Sequence, residues 1–179
     1  MPTVLAISGS LRSGSSNTAA LRTAADVAPP DVRVVLHDDL ARLPHFDPDD
    51  DREPLPAEVG ELRQALETAD AVLFCTPEYA GTLPGSFKNL LDWCVGGTGL
   101  NDTPVAWINV SPYAGGGEGA VATLRTVLGY VGARVIDDAC AHIPVSRTLV
   151  SDHDGTIHDE KVRAQINQVI CALRDASTG

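Results

Sequence analysis

The chain has no apolar run long enough to cross a bilayer. A membrane-spanning helix needs about 20 consecutive apolar residues, and no stretch of the 179-residue sequence approaches that length. The first seven residues, MPTVLAI, also lack the basic residues that open a signal peptide, and they predict a strand instead. We therefore expect a cytoplasmic protein that does not bind membranes.

Positive charge is scarce as well. The sequence holds 13 Lys and Arg against 24 Asp and Glu, which gives a formal net charge of -11. A surface of this sign repels the phosphate backbone of nucleic acids and anionic lipids, so neither is an expected partner. If the protein binds a phosphate group, a local arrangement of donors must hold it against the overall field.

Cysteine and histidine are too few and too scattered to predict a metal site. The four cysteines form no Cys-x-x-Cys pair, and their spacings match no zinc site. We interpret them as small buried apolar residues of a reduced protein. His153 and His158 flank Asp154, but the segment has the composition of a turn, so we interpret them as surface residues.

Short apolar runs alternate with helical segments along the whole chain. Strands buried on both faces are predicted by runs at residues 3–7, 32–36, 71–75, 105–110 and from 133 onward. Helices are predicted over residues 18–27, 57–69, 86–95, 120–131 and 161–173. This alternation is typical of an α/β fold with a parallel sheet covered on both faces. Because no linker or repeat interrupts it, we expect residues 1–179 to form one domain.

Three loops that follow predicted strands are unusual in composition. They occupy residues 9–18, 76–85 and 111–119, after the first, third and fourth strands. In open parallel sheets, ligands bind beyond the carboxyl ends of the strands, where the strand order reverses. With a strand order of 2-1-3-4-5, the three loops converge on one site. The segment 37–56 predicts a long loop, in which Phe46 could line a substrate pocket or pin the loop to the core.

The first loop has the donors of a phosphate site. It precedes a helix, whose N-terminus offers free N–H groups and a partial positive charge. Arg12 is its only cation and can bind a phosphate through two N–H groups. The loop is neither Gly-x-Gly-x-x-Gly nor a P-loop, and the alternative interpretation is an ordinary capped turn. Hydroxyl and amide donors are supplied by Ser10, Ser15, Ser16 and Asn17.

The other two loops can present main-chain groups to a flat ring. Proline and glycine fix an irregular backbone around Glu78 and Tyr79. Either side chain could be catalytic in principle, but neither has an obvious acid–base partner nearby in the sequence. The alternatives are a surface or loop-bracing carboxylate for Glu78 and a partly buried packing residue for Tyr79. Ser111 and the glycines after it could donate to a ring carbonyl, and a flexible surface loop is an equally weighted alternative.

At these loops the sequence resembles a known family. The motifs are GSLRxxSxN at residues 9–17 and PEYxGxxPGxxKNxxDW at residues 77–93, followed by a small-residue loop that begins at Ser111. They resemble the NAD(P)H-dependent FMN reductases, flavodoxin-like proteins that include quinone, azo-dye and chromate reductases. The resemblance extends from the first strand to about Gly132, and it implies a flavodoxin-like three-layer sandwich with a five-stranded sheet of order 2-1-3-4-5.

The resemblance also implies a cofactor and its contacts. FMN would take hydride from NADPH or NADH and pass it to a small-molecule electron acceptor, with no side chain needed as acid or base. The FMN phosphate would be held by Ser10, Arg12, Ser15, Ser16 and Asn17. The flavin ring would meet the main chain of Pro77, Glu78, Tyr79, Ala80 and Gly81, and its pyrimidine side would meet Ser111 and Gly115. A helix over residues 88–93 would help to form a homodimer or homotetramer.

One residue departs from the family pattern. The family commonly has Asn after Pro-Glu-Tyr, where this chain has Ala80, so an amide contact near the flavin would be lost. Two other functions remain open from the sequence. One is a flavodoxin-type electron carrier that does not oxidise NAD(P)H, and the other is a flavin-free binding module on the same fold.

Overall fold

The alternation of apolar runs and helical segments produces an α/β architecture. The computed structural model describes residues 1–178. The strands are β1 (Thr3–Ser8), β2 (Arg33–His37), β3 (Ala71–Cys75), β4 (Pro104–Asn109), β5 (Arg134–Val135) and β6 (Ala141–His142). The helices are α1 (Ser16–Val27), α2 (Ala57–Glu67), α3 (Gly85–Trp93), α4 (Glu118–Tyr130) and α5 (Glu160–Thr178).

The strands form a parallel sheet of order β2-β1-β3-β4-β5, which confirms the predicted order. The fifth position of the sheet is not filled by the one continuous strand that the sequence led us to expect. It is shared by β5 and β6, which both pair with β4 and are separated by a 3₁₀ turn at Asp137–Ala139. Val105 pairs with Val135, whereas Asn109 pairs with His142, so the offset between partners grows from 30 to 33 residues. The chain between β5 and β6 is therefore three residues longer than the matching stretch of β4.

Helices cover both faces of the sheet, as a three-layer sandwich requires. Side chains alternate along each strand, so Val4 and Ala6 face one core while Leu5 and Ile7 face the other. The first core contains α1 and α5, and the second contains α2, α3 and α4. Strands buried on both faces account for the continuous apolar runs in the sequence.

The long acidic loop before α2 is pinned to α3. The Phe46 ring packs edge-on against Trp93, with 4.9 Å between ring centroids. The carbonyl oxygen of Pro44 accepts hydrogen bonds from Asn89 Nδ2 at 2.8 Å and from Trp93 Nε1 at 2.9 Å. Phe46 thus holds the loop to the core, the second of the two roles considered for it.

Across residues 1–178, no helix combines the length and the apolar character that crossing a bilayer requires.

Candidate functional site

A cavity of about 440 Å³ lies at the carboxyl ends of β1, β3 and β4. It falls within the usual size range of small-ligand pockets, roughly 300–1,000 Å³. The three loops predicted to converge do meet here. From the first loop the cavity is lined by Ser10, Arg12, Ser15, Ser16 and Asn17, and from the other two by Pro77, Glu78, Tyr79 and Ser111.

Three predicted residues lie outside the lining of this cavity: Ala80, Gly81 and Gly115. Ala80 and Gly81 are the two central residues of a tight turn between Tyr79 and Thr82. Gly115 lies one residue before Gly116 and Gly117, which do line it. The cavity wall therefore uses the start of the second loop and both ends of the third.

The serines of the first loop retain their hydroxyl hydrogens for a ligand. Ser15 caps α1, and its Oγ accepts from the backbone N–H and the Nδ2 of Asn17 at 3.2 and 3.4 Å. Ser10 Oγ likewise accepts from the backbone N–H of Arg12 at 3.3 Å. A hydroxyl that accepts in this way can still donate its own hydrogen. No acceptor within residues 1–178 takes up the hydroxyl hydrogens of Ser10, Ser15 or Ser16, which suits an anion.

Asn17 is held in a fixed orientation by a buried thiol. Cys75 Sγ donates to Asn17 Oδ1 at 3.3 Å, and both residues are buried. Burial raises the pKa of the Cys75 thiol, so it remains a protonated donor at neutral pH. With its oxygen turned to Cys75, Asn17 presents its NH₂ group toward Ser15 and the cavity.

A second cation faces the same end of the cavity. Arg147 begins a 3₁₀ turn at Arg147–Leu149, after β6, and lines the cavity together with Arg12. Its Nη2 lies 3.2 Å from the point that a Cβ on Gly14 would occupy. Neither arginine has a carboxylate partner among residues 1–178. Sequence reasoning missed Arg147 because nothing near it in the sequence indicates a site.

The second loop contains a tight turn. The main chains of Tyr79 and Thr82 exchange two hydrogen bonds of 2.9 and 3.1 Å. Ala80 and Gly81 between them have φ of 51° and 77°, as a type I′ turn requires. Asn and Gly are the preferred residues of that turn. The backbone conformation at Ala80 therefore supplies a steric reason for Asn at this position.

Glu78 joins the second loop to α4. Its Oε2 accepts a hydrogen bond of 3.1 Å from the backbone N–H of Ala120, in the first turn of α4. A carboxylate at a helix N-terminus satisfies a free N–H group and interacts favourably with the helix dipole. Gly119 allows the contact, because a Cβ there would lie 2.2 Å from the Gly81 carbonyl oxygen. Glu78 thus acts as the loop-bracing carboxylate considered from the sequence.

Asn109, at the end of β4, closes the third loop. Its Oδ1 accepts from the backbone N–H of Ser111 at 3.0 Å, and its Nδ2 donates to the carbonyl oxygen of Gly116 at 2.8 Å. One amide therefore holds both ends of the loop. Gly117 has φ of 83° and packs so closely that a Cβ would lie 2.4 Å from Asn109 Oδ1. Asn109 could have been identified from the sequence, because it is the polar residue at the end of an otherwise apolar strand.

His142 supports the same loop from the neighbouring strand. Its Nε2 lies 2.8 Å from the carbonyl oxygen of Ser111. A carbonyl oxygen only accepts, so this ring nitrogen carries a hydrogen. The third loop is therefore tied to β4 and β6, and we regard it as an ordered part of the cavity.

The two ends of the cavity fit the two ends of FMN. Hydroxyl groups, helix N–H groups and two arginines at one end are the donors that bind phosphate in proteins. The other end offers main-chain groups and the rings of Tyr79 and Tyr113, which are 54% and 76% exposed at the mouth of the cavity. Such a wall suits a flat heterocycle with polar edges.

A parallel sheet of order 2-1-3-4-5 with a cavity at the carboxyl ends of β1, β3 and β4 defines the class of flavodoxin-like proteins. The comparisons with known proteins place the chain more narrowly. The family model described as NADPH-dependent FMN reductase matches residues 2–147. The chain belongs to the NADPH-dependent FMN reductase family.

Individual relatives agree with this assignment. An NAD(P)H-dependent FMN reductase of Pseudomonas aeruginosa is 33% identical over 173 residues, which is 96% of this chain and 92% of that protein. A quinone reductase of Escherichia coli is 38% identical over 104 residues, which is 58% of this chain and 54% of that protein. The structure of FerB, a flavoenzyme NAD(P)H:(acceptor) oxidoreductase from Paracoccus denitrificans, superposes with a TM-score of 0.82 at 28% identity, covering 98% of both chains.

Proposed function

We propose that the chain is an FMN-dependent oxidoreductase that takes hydride from NADPH or NADH and delivers it to a small-molecule electron acceptor such as a quinone or a free flavin. The observation that carries this proposal is a cavity with hydroxyl groups and two arginines at one end and with Pro77, Glu78, Tyr79 and Ser111 along the rest of its lining. Family membership and the similarity to named NAD(P)H-dependent reductases support it. We take residues 1–179 as one FMN-binding domain.

The residues of the first loop would hold the FMN phosphate. Ser10, Ser15 and Ser16 donate hydroxyl hydrogens, and Asn17 donates from the NH₂ group that Cys75 keeps turned away from the core. Arg12 and Arg147 neutralise the phosphate charge in a chain whose net charge is -11. Charge-assisted hydrogen bonds of this kind are about twice as strong as neutral ones.

The other two loops would position the flavin ring. Pro77, Glu78 and Tyr79 form one wall, with the Glu78 carboxylate used to fix that wall to α4. Ser111, held by Asn109 and His142, forms the opposite edge. Bound FMN supplies the hydride-accepting and hydride-donating atom, so the protein has only to orient the ring and leave one face open. The exposed Tyr79 and Tyr113 border that open face.

An absorption spectrum tests the proposed activity. Purified protein is mixed with FMN, excess flavin is removed, and NADPH and then NADH are added without oxygen. Retained flavin bands that bleach with either dinucleotide are the expected result. Bound flavin that bleaches with dithionite but with neither dinucleotide would contradict the proposal and indicate an electron carrier. A protein that retains no flavin would contradict the assignment of the cavity.

A comparison of FMN with riboflavin tests the phosphate contacts separately, because riboflavin has the same ring and no phosphate. Arg12→Ala and Arg147→Ala should each raise the Kd of FMN about tenfold and leave that of riboflavin unchanged, as expected for a charge-assisted hydrogen bond near the surface. Arg33→Ala is the matched control, since Arg33 is exposed at the amino ends of the strands. Equal effects on both flavins would contradict the phosphate assignment.

We further propose a cytoplasmic homodimer or homotetramer that includes α3, with the apolar rim of the cavity near the interface. Support comes from the exposed side chains of Leu11, Tyr79 and Tyr113, which are 56%, 54% and 76% accessible. Light scattering coupled to gel filtration tests the oligomeric state, and a mass of about 19 kDa, that of the monomer, would contradict it.

A further inference from the structure

A second cavity adjoins the phosphate end of the first. It has a volume of about 450 Å³ and lies between the first loop, α1 and the turn at residues 150–155. Ser13 and Gly14 of the first loop line it, whereas Ser10, Ser15 and Ser16 of the same loop line the first cavity. Arg147 lines both cavities, and its Nη2 lies 3.2 Å from the point that a Cβ on Gly14 would occupy, so the two cavities adjoin at this residue. Nothing in the proposed chemistry of FMN uses this second space.

The cations of the second cavity have no carboxylate partners. Arg22 projects from α1 and lines the cavity with Arg147 and His153. Within residues 1–178 neither arginine takes part in an ion pair, whereas Arg63 and Arg163 each hold an aspartate at 2.6 Å. In a chain with 24 acidic residues, two arginines left free around one cavity favour an anionic ligand.

The two carboxylates of the same cavity differ in the hydrogen bonds that they accept. Asp154 accepts from the backbone N–H and the hydroxyl of Thr156 and pairs with His158 Nε2 at 2.9 Å. Those hydrogen bonds lower the pKa of Asp154 and occupy its oxygens. Asp152 lines the cavity and has no hydrogen-bond partner in the described part of the chain. A free carboxylate in the same cavity as two free arginines suits a ligand with both a phosphate and a sugar diol, since carboxylates accept from ribose hydroxyls.

We propose that the second cavity binds the adenylate half of a flavin dinucleotide, so that the chain takes FAD as well as FMN. This inference rests on the proposed binding of FMN in the first cavity. The flavin phosphate would lie between Arg12 and Arg147, and the second phosphate would lie beyond Arg147 toward Arg22. Asp152 would accept from the ribose hydroxyls, and the base would pack on Val150 and the ring of His153.

This inference is tested on the chain freed of flavin, by asking whether a substitution weakens the binding of FAD and not that of FMN. The Kd of FMN and of FAD is measured by quenching of flavin fluorescence for the natural chain, for Arg22→Ala and for the control Arg33→Ala. Arg22 lines only the second cavity. We expect FAD to bind within about tenfold of FMN, and Arg22→Ala to weaken FAD about tenfold and FMN less than about twofold.

Asp152→Ala separates a sugar contact from general electrostatics. Removal of a negative charge by itself would strengthen the binding of any anion. Weaker binding of FAD in this variant, with FMN unchanged, would therefore identify a contact with the ribose hydroxyls. Unchanged or tighter binding of FAD would overturn the placement of the ribose.

The outcomes also separate this inference from the proposed function. One result would overturn the second site alone. In it, FMN binds and bleaches with NADPH, but FAD binds more than about tenfold more weakly than FMN, or the Kd of FAD is the same in Arg22→Ala and Arg33→Ala. Failure of both flavins to bind would overturn the proposed function itself. An Arg22→Ala variant with a raised KM for NADPH and an unchanged Kd for FAD would assign the cavity to the hydride donor and overturn the inference.

Discussion

Replacement of Asn109 by alanine should weaken FMN binding because it reduces the order of the third loop. It removes no contact with the phosphate. The amide makes two hydrogen bonds, to the backbone N–H of Ser111 and to the carbonyl oxygen of Gly116, at 3.0 and 2.8 Å. Each has a net value of about 1 kcal/mol, so their loss removes about 2 kcal/mol from the ordering of the loop. If FMN binds only the ordered loop, its Kd rises by at most about 30-fold.

The measurement combines flavin titration with urea unfolding. Asn109→Ala should lower the urea midpoint, leave the denaturant slope unchanged and raise the Kd of FMN and riboflavin by similar factors, because the loop meets the ring and not the phosphate. Asn109→Asp retains the acceptor for Ser111 but sets an oxygen against the Gly116 carbonyl, so it should not restore binding.

Asn167→Ala is the matched control for Asn109→Ala. Asn167 in α5 also donates from Nδ2 to a main-chain carbonyl, that of Val27, at 2.6 Å, but it lies outside the lining of either cavity. It should reduce stability by about 1 kcal/mol and leave the Kd of FMN unchanged. An Asn109→Ala protein that binds FMN as tightly as the natural chain would refute the view that this amide orders the site.

Three further perturbations have defined outcomes. Glu78→Ala should reduce stability by about 1 kcal/mol by removing the acceptor for the Ala120 N–H, and Glu78→Gln should restore most of it, both read from urea midpoints. Ala80→Asn should raise stability by about 0.5–1 kcal/mol, because φ of 51° is unfavourable for alanine, and should leave the Kd of FMN within about twofold; a large gain in flavin affinity would show instead that the amide contacts the ring. Burial lowers the pKa of His37, so the unfolded chain binds a proton more readily than the folded one. The part of the folding stability that depends on neutral His37 is fully present above about pH 6.5 and is lost as the pH falls through the pKa of His37 in the folded chain. Urea midpoints at about pH 7.5 and about pH 5.5 should therefore differ less in His37→Gln than in the natural chain.

The parts of the site that could be predicted from the sequence are those built from one continuous segment. The first loop combines hydrogen-bond donors and an arginine within residues 10–17, and its position after a buried strand determines which edge of the sheet it reaches. Glycine and proline made the second and third loops recognisable in the same way.

The parts that could not be predicted depend on pairing between distant strands. Arg147 reaches the cavity because β6 pairs with the end of β4, and that register follows from an interruption of the fifth strand that no local pattern indicates. Ala80 shows a different limit. A missing amide suggested a lost contact with the flavin, whereas the left-handed backbone at that position supplies a steric reason for the family's Asn.

The division of the last strand into β5 and β6 has a consequence for sequence divergence. Each half has its own hydrogen bonds to β4, so the link between them can change in length without shifting the residues that follow. Insertions should therefore be tolerated at Asp137 and Asp138, which are exposed, whereas Ala139 is buried in the first core. A change of length between His142 and Arg147 would displace the arginine from both cavities. Related chains should thus vary in length on one side of β6 and keep a constant length on the other.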